Sequence, residues 1–167
     1  LLENTINQLD AEDCLRHING RLYGNDYEER LFNVAMELCI TWMNRILFFK
    51  LFESQMLKYH NGDAIYKFLS ITKIHDYDDL NTLFFQVLAR DMGSRTHSIM
   101  RDFAYVPYLN SSLFEVTDLE SKTIKINSLS QRTVLPVLAS SVLRNKKRNL
   151  QVNALPTLQY LFAFLDA

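Results

Sequence analysis

The sequence predicts a mostly α fold: an irregular helical bundle around one long central helix, about residues 27–60, with at most a minor short β element near 123–127. Three observations carry this. Apolar residues recur at helical spacing over more than thirty positions after Asn25-Asp26. Glycine and proline are scarce, with 4 and 3 copies, which argues against a turn-rich all-β chain. Hydrophobic residues make up 48% of the 167 and aromatic ones 12%, enough to build a packed core and to exclude disorder.

Residues 1–24 form a polar leading segment. Leu9, Leu15, Ile18 and Leu22 stand at helix-like steps, with Asp10 or Asp13 as the cap of a short helix that ends near Gly20 or Gly24. Asn25 or Asp26 then caps the main helix, and Glu28 and Glu29 sit in its first turn, where the dipole favours acids. Asn61-Gly62 stops it, giving a rod roughly 50 Å long at 1.5 Å per residue. One apolar stripe runs Leu31, Ala35, Leu38, Trp42, Ile46, Phe49, Phe52, Met56. A second runs Phe32, Met36, Cys39, Met43, Leu47, Leu51. Together they leave only a narrow polar strip, Asn33, Glu37, Thr41 and Arg45, so other helices are expected to pack on two or three sides.

Further along, Asp63 caps a short helix over 64–69. Asp76 to Asp79 opens another that reaches about Met92, and Thr96 caps a turn through Ile99 and Phe103. Pro107 blocks continuation and pushes Val106 toward extended geometry. Residues 105–130 are the least helical part. There Thr123-Ile124-Lys125-Ile126-Asn127 alternates polar and apolar, which suits one short strand. Two closing helices are expected from about Thr133 to Lys147 and from about Asn153 onward, each with a proline in its first turn. These pieces read as one helical domain: a leading segment 1–24, a core 25–104, an irregular segment 105–130 and closing helices 131–167.

A net charge of −1 gives no whole-chain case for binding nucleic acid or a membrane surface. The long apolar helix contains Glu37, Arg45, Lys50 and Glu53, which argues against a membrane span. The two cysteines, Cys14 and Cys39, have no metal or redox spacing, and a reducing, cytoplasmic location is the simpler inference. The chain begins at Leu1 and stops at Ala167 inside an apolar helical pattern, so a piece of a longer protein is expected.

Most of the polar residues that could carry chemistry have a structural role ready for them. No phosphate-cradling glycine loop, nucleophile elbow, zinc-helix or EF-hand pattern occurs. His17, His60, His75 and His97 are scattered surface histidines. Asp76, Asp78 and Asp79 cluster at a helix start, where capping and the dipole account for them. In Tyr108-Leu109-Asn110-Ser111-Ser112-Leu113-Phe114-Glu115, Asn110 suits a tight turn. Ser111 or Ser112 caps a short turn that plugs Leu113 and Phe114 into the core. Glu115 has no nearby partner for general-base work. The one basic cluster is Arg144, Lys146, Lys147 and Arg148. It has two readings: a solvated helix end, or a patch that contacts DNA phosphates without reading sequence.

Order and spacing add a resemblance. Trp42-Met43-Asn44-Arg45-Ile46-Leu47-Phe48-Phe49-Lys50-Leu51-Phe52-Glu53 is similar to an N-R-L-L-F-L-K-L-L-E block in the helical part of single-chain type IIG, or type IIS, restriction-modification enzymes. Tyr108 to Glu115 resembles the Y-L-N-(G/S)-(G/S)-L-F-E block that follows it there. Tyr66-Lys67-Phe68-Leu69, Asp79 to Phe85 and the tail Leu158 to Ala167 fit the same order, so the likeness covers about residues 27–167. Ser111-Ser112 stands where glycines are common in that family. The resemblance implies a non-catalytic connector ahead of a methyltransferase core, in which Asn44, Arg45, Tyr108, Asn110, Leu113, Phe114 and Glu115 are structural motif residues. The parent it implies is a bacterial DNA endonuclease and adenine N6-methyltransferase that uses S-adenosylmethionine and Mg2+. Its implied partners are DNA and the adjacent nuclease and methyltransferase domains, with no membrane. The Asn-Pro-Pro-Tyr box and the cofactor-binding glycine motif of such enzymes do not occur in this chain. No catalytic residue and no cofactor therefore carries over. The other class of reading is a stand-alone helical interaction or regulatory module.

Overall fold

In a computed structural model, residues 1–70, 72–127, 162 and 165 are described. The described residues are mostly helical and contain no strand. The chain divides into two compact units. One gathers Leu1–Trp42 with the segment that starts at Thr117, and the other gathers Met43–Val116 with Phe162 and Leu165.

In the first unit, helix α1 spans Leu2–Ala11 and is followed by single 3-10 turns at Cys14–His17 and Gly20–Leu22. The helix predicted to start at Asp10 or Asp13 is therefore replaced by one that ends there. Asp13 takes a left-handed conformation (φ 50) and pairs with Arg16 instead of capping a helix through its side chain. Leu9 packs at 0% exposure, while Thr5 Oγ1 donates to the Leu1 carbonyl at 3.0 Å.

Helix α2, Tyr27–Tyr59, is the long helix that the periodicity predicts. Asp26 Oδ1 accepts from Glu29 N at 2.8 Å at its start. At its end Asn61 (φ 54) and Gly62 (φ 80) turn left-handed, and Gly62 N donates to Leu57 O at 2.7 Å, closing the last turn. The first stripe is buried from Leu31 to Phe49. Most of the second is not: Phe32, Leu47 and Leu51 are exposed, Met36 and Met43 are half-buried, and Cys39 is buried. By length and composition α2 could cross a membrane. Its Arg45 and Glu53, however, are fully buried and satisfied by groups of the protein.

In the second unit, Asp63 caps a 3-10 turn, Ala64–Tyr66, and Asp76 caps α3, Tyr77–Thr82, accepting from Asp78 N and Asp79 N. A π-helical segment, Leu83–Leu88, continues α3. Asp91 opens a short turn, and Thr96 caps α4, His97–Phe103. Ser111 Oγ accepts from Leu113 N and starts the turn Ser112–Phe114.

Back in the first unit, α5, Asp118–Lys122, opens with a capping box: Glu120 N donates to Thr117 Oγ1, and Thr117 N donates to Glu120 Oε2. Beyond it, residues 124–127 form no strand. The alternation survives in the burial pattern: Ile124 and Ile126 are buried and Lys125 is exposed. A period of two reports which side faces inward. The expected closing helices over 133–147 and from 153 lie outside the described residues.

Candidate functional site

The structure brings together the two blocks that stand out in the sequence, and it does so through Arg45. This residue belongs to the narrow polar strip of α2, and it is 0% exposed. Its Nε donates to Leu113 O at 2.7 Å and its Nη2 to Glu115 O at 2.8 Å. The guanidinium carbon lies 4.9 Å from the centre of the Phe85 ring. A planar fork of five donors can bridge two carbonyls and stack at once, which an ammonium cannot do. Helical periodicity classes Arg45 with its polar neighbours; the partners that reverse this lie about 70 positions away and leave no local trace.

Phe114 completes this centre at 0% exposure. Its ring packs edge-on against Phe48 (5.9 Å) and Phe49 (6.3 Å) and tilted against Phe84 (5.8 Å). Leu113 is half-buried, and the Glu115 side chain is exposed; only its backbone is engaged by Arg45. Tyr108 is 39% exposed, and its hydroxyl donates to Asn110 Oδ1 at 2.9 Å, a bond that closes the turn on its outer side. Asn44 is exposed, about 100° around the helix from Arg45. Thus Arg45, Leu113, Phe114 and Glu115 meet, while Asn44 stands apart.

A second buried guanidinium is one that the sequence does not single out. Arg95 donates to Val87 O (2.8 Å), Val106 O (2.8 Å), Arg90 O (3.2 Å) and Phe103 O (3.4 Å). Burial pulls its pKa down, opposed by the charge of Asp91. The sequence signal is faint: an arginine between a glycine-containing turn and a capping threonine.

The third buried charge is Glu53. One carboxylate oxygen accepts from Leu69 N at 2.6 Å and the other from Lys50 Nζ at 2.5 Å. Close by, Lys73 Nζ donates to Ile65 O and Lys67 O and lies 4.5 Å from the Tyr105 ring centre. Burial lowers the Lys73 pKa, and Glu53 opposes that shift. Lys50 pairs with Glu53 along α2, and Lys73 holds the loop.

In chemical terms these are fastenings. Cys14 and Cys39 are free and buried, and burial pushes both thiols up, away from the thiolate that a nucleophile needs. Among the described residues no group of three or more His, Cys, Asp or Glu side chains is placed to hold a metal ion. The acidic cluster of Asp76, Asp78 and Asp79 acts at its helix start: Asp76 caps, and Asp79 accepts from the His75 backbone and ring. An open polar depression of about 410 Å³ lies in the first unit between Gln8 of α1, Glu12 just beyond that helix, and Ser121, Thr123 and Lys125. Arg144, Lys146, Lys147 and Arg148 lie outside the described residues.

No curated protein and no solved structure matches the chain. One family does, over residues 1–167. The chain belongs to that family, whose description is Domain of unknown function (DUF7814).

Proposed function

We propose that this chain is a non-catalytic helical connector of a bacterial DNA restriction-modification enzyme, joining a nuclease to an adenine methyltransferase. The observation that carries the reading is Arg45. The two blocks that resemble such enzymes are fastened to each other by a buried guanidinium that donates to backbone carbonyls. Residues used this way set the shape of a segment and leave the chemistry to its neighbours. S-adenosylmethionine and Mg2+ then belong to the adjoining domains, and the location is the cytoplasm, in keeping with two free buried thiols.

In this reading Arg144, Lys146, Lys147 and Arg148 touch the DNA backbone. The test is made in the intact parent enzyme, with all four changed to Gln. DNA affinity should fall about equally on every sequence, and the slope of log K against log salt should shrink by about one for each phosphate no longer neutralised. An unchanged slope removes DNA binding by this cluster from the proposal. A gene whose open reading frame lacks an Asn-Pro-Pro-Tyr methyltransferase box downstream of this segment removes the connector itself. The exposed apolar side of α2 favours a second reading, an interaction module that works by docking.

A further inference from the structure

Helix α2 leaves a row of apolar side chains in solvent. Phe32, Ile40, Leu47 and Leu51 are 45%, 50%, 41% and 69% exposed, with half-buried Met36 and Met43 between them. The six positions step by 4, 4, 3, 4 and 4 residues, the spacing of one helical face. A contiguous apolar row along about 30 Å of one helix is more than a soluble surface ordinarily leaves bare.

The steps read the same in both directions. A second α2 laid antiparallel, with a two-fold axis between Ile40 and Met43, therefore sets apolar against apolar throughout. Phe32 faces Leu51 of the second copy, Met36 faces Leu47, and Ile40 faces Met43. An unrelated partner would give no reason for that symmetry. Charge points the same way. Glu29 in the first turn and Lys58 in the last are both exposed and continue the same face by steps of three, and of three then four. Antiparallel pairing brings Glu29 of one copy within about one turn, roughly 6 Å, of Lys58 of the other. It also opposes the two helix dipoles. Parallel pairing would set Glu29 on Glu29 and Lys58 on Lys58.

We propose that this face of α2 is a self-association surface, on which a second copy of the chain docks antiparallel. The surface is a property of α2 alone and is independent of the connector reading. Sedimentation equilibrium of the whole chain at about 10 to 100 µM, a range that detects any Kd below about 100 µM, should give twice the 19.6 kDa chain mass. Leu51→Glu, at a position already in solvent, should return the mass to that of one chain with an unchanged far-ultraviolet spectrum. Lys58→Glu should weaken association about 5-fold or more in low salt, and adding Glu29→Lys in the same chain should restore it. A single-chain mass at 100 µM overturns the proposal. So does a dimer whose Kd is indifferent to Leu51→Glu, and a dimer that ignores both charge changes overturns the antiparallel arrangement.

Discussion

Arg45 and Arg95 do the same job on different scales. Both are buried guanidinium groups that donate to backbone carbonyls in the second unit. Arg95 gathers carbonyls from residues 87 to 106, all within 11 positions of itself. Arg45 reaches carbonyls 68 and 70 positions away. A local fastening shapes a loop, whereas a distant one closes a tertiary contact whose chain entropy is already large. The pair teaches that burial and hydrogen bonding do not alone tell what a residue contributes; the length of chain it closes matters too.

The largest expected effect tests that difference directly. Arg45→Ala removes a fully buried side chain, takes a donor from each of two part-buried carbonyls and opens space over Phe85, so urea unfolding should show a loss of roughly 3 to 4 kcal/mol. Arg95→Ala should cost roughly 3 kcal/mol, and amide exchange should speed up most across 87–106. If exchange instead rises equally in both variants over the whole second unit, the two arginines are not different in kind.

Thr117→Ala provides a reference in the first unit, where polar satisfaction is local: losing the capping box should cost about 1 kcal/mol in the same unfolding assay. Tyr108→Phe should be smallest, with a change within about 0.5 kcal/mol, because its hydrogen bond to Asn110 faces water. A destabilisation above about 2 kcal/mol there would give the outer side of the turn a part that its geometry does not suggest.

Features fixed within a few residues are legible in the sequence. Asp76, Thr96 and Ser111 cap the elements predicted for them, Asp63 caps a 3-10 turn, Ala64–Tyr66, in place of the helix expected over 64–69, and Asn61-Gly62 ends α2 through left-handed backbone. Thr117-Asp118-Leu119-Glu120 spells a capping box, so α5 has a readable signal that the strand-like alternation after it overshadows. Features set by distant partners are not legible. The burial of Arg45 depends on carbonyls far along the chain, and the second stripe of α2, largely uncovered, has the same periodicity as the covered one. Periodicity identifies faces that are fit for burial; what occupies them is decided by the rest of the chain, or by another molecule.

The π-helical segment Leu83–Leu88 shows what one residue of surplus can achieve. Ala89 N donates to Phe84 O five positions back, at 3.1 Å, where an α-helix would count four. Deleting Gln86 would let the count revert to four and rotate everything before it by about 100° relative to everything after it. Phe85, under the Arg45 guanidinium, and Val87, whose carbonyl accepts from Arg95, lie on opposite sides of that cut. The extra residue therefore works as a phase shift between the Phe85 ring, which lies against Arg45, and the Val87 carbonyl, which accepts from Arg95.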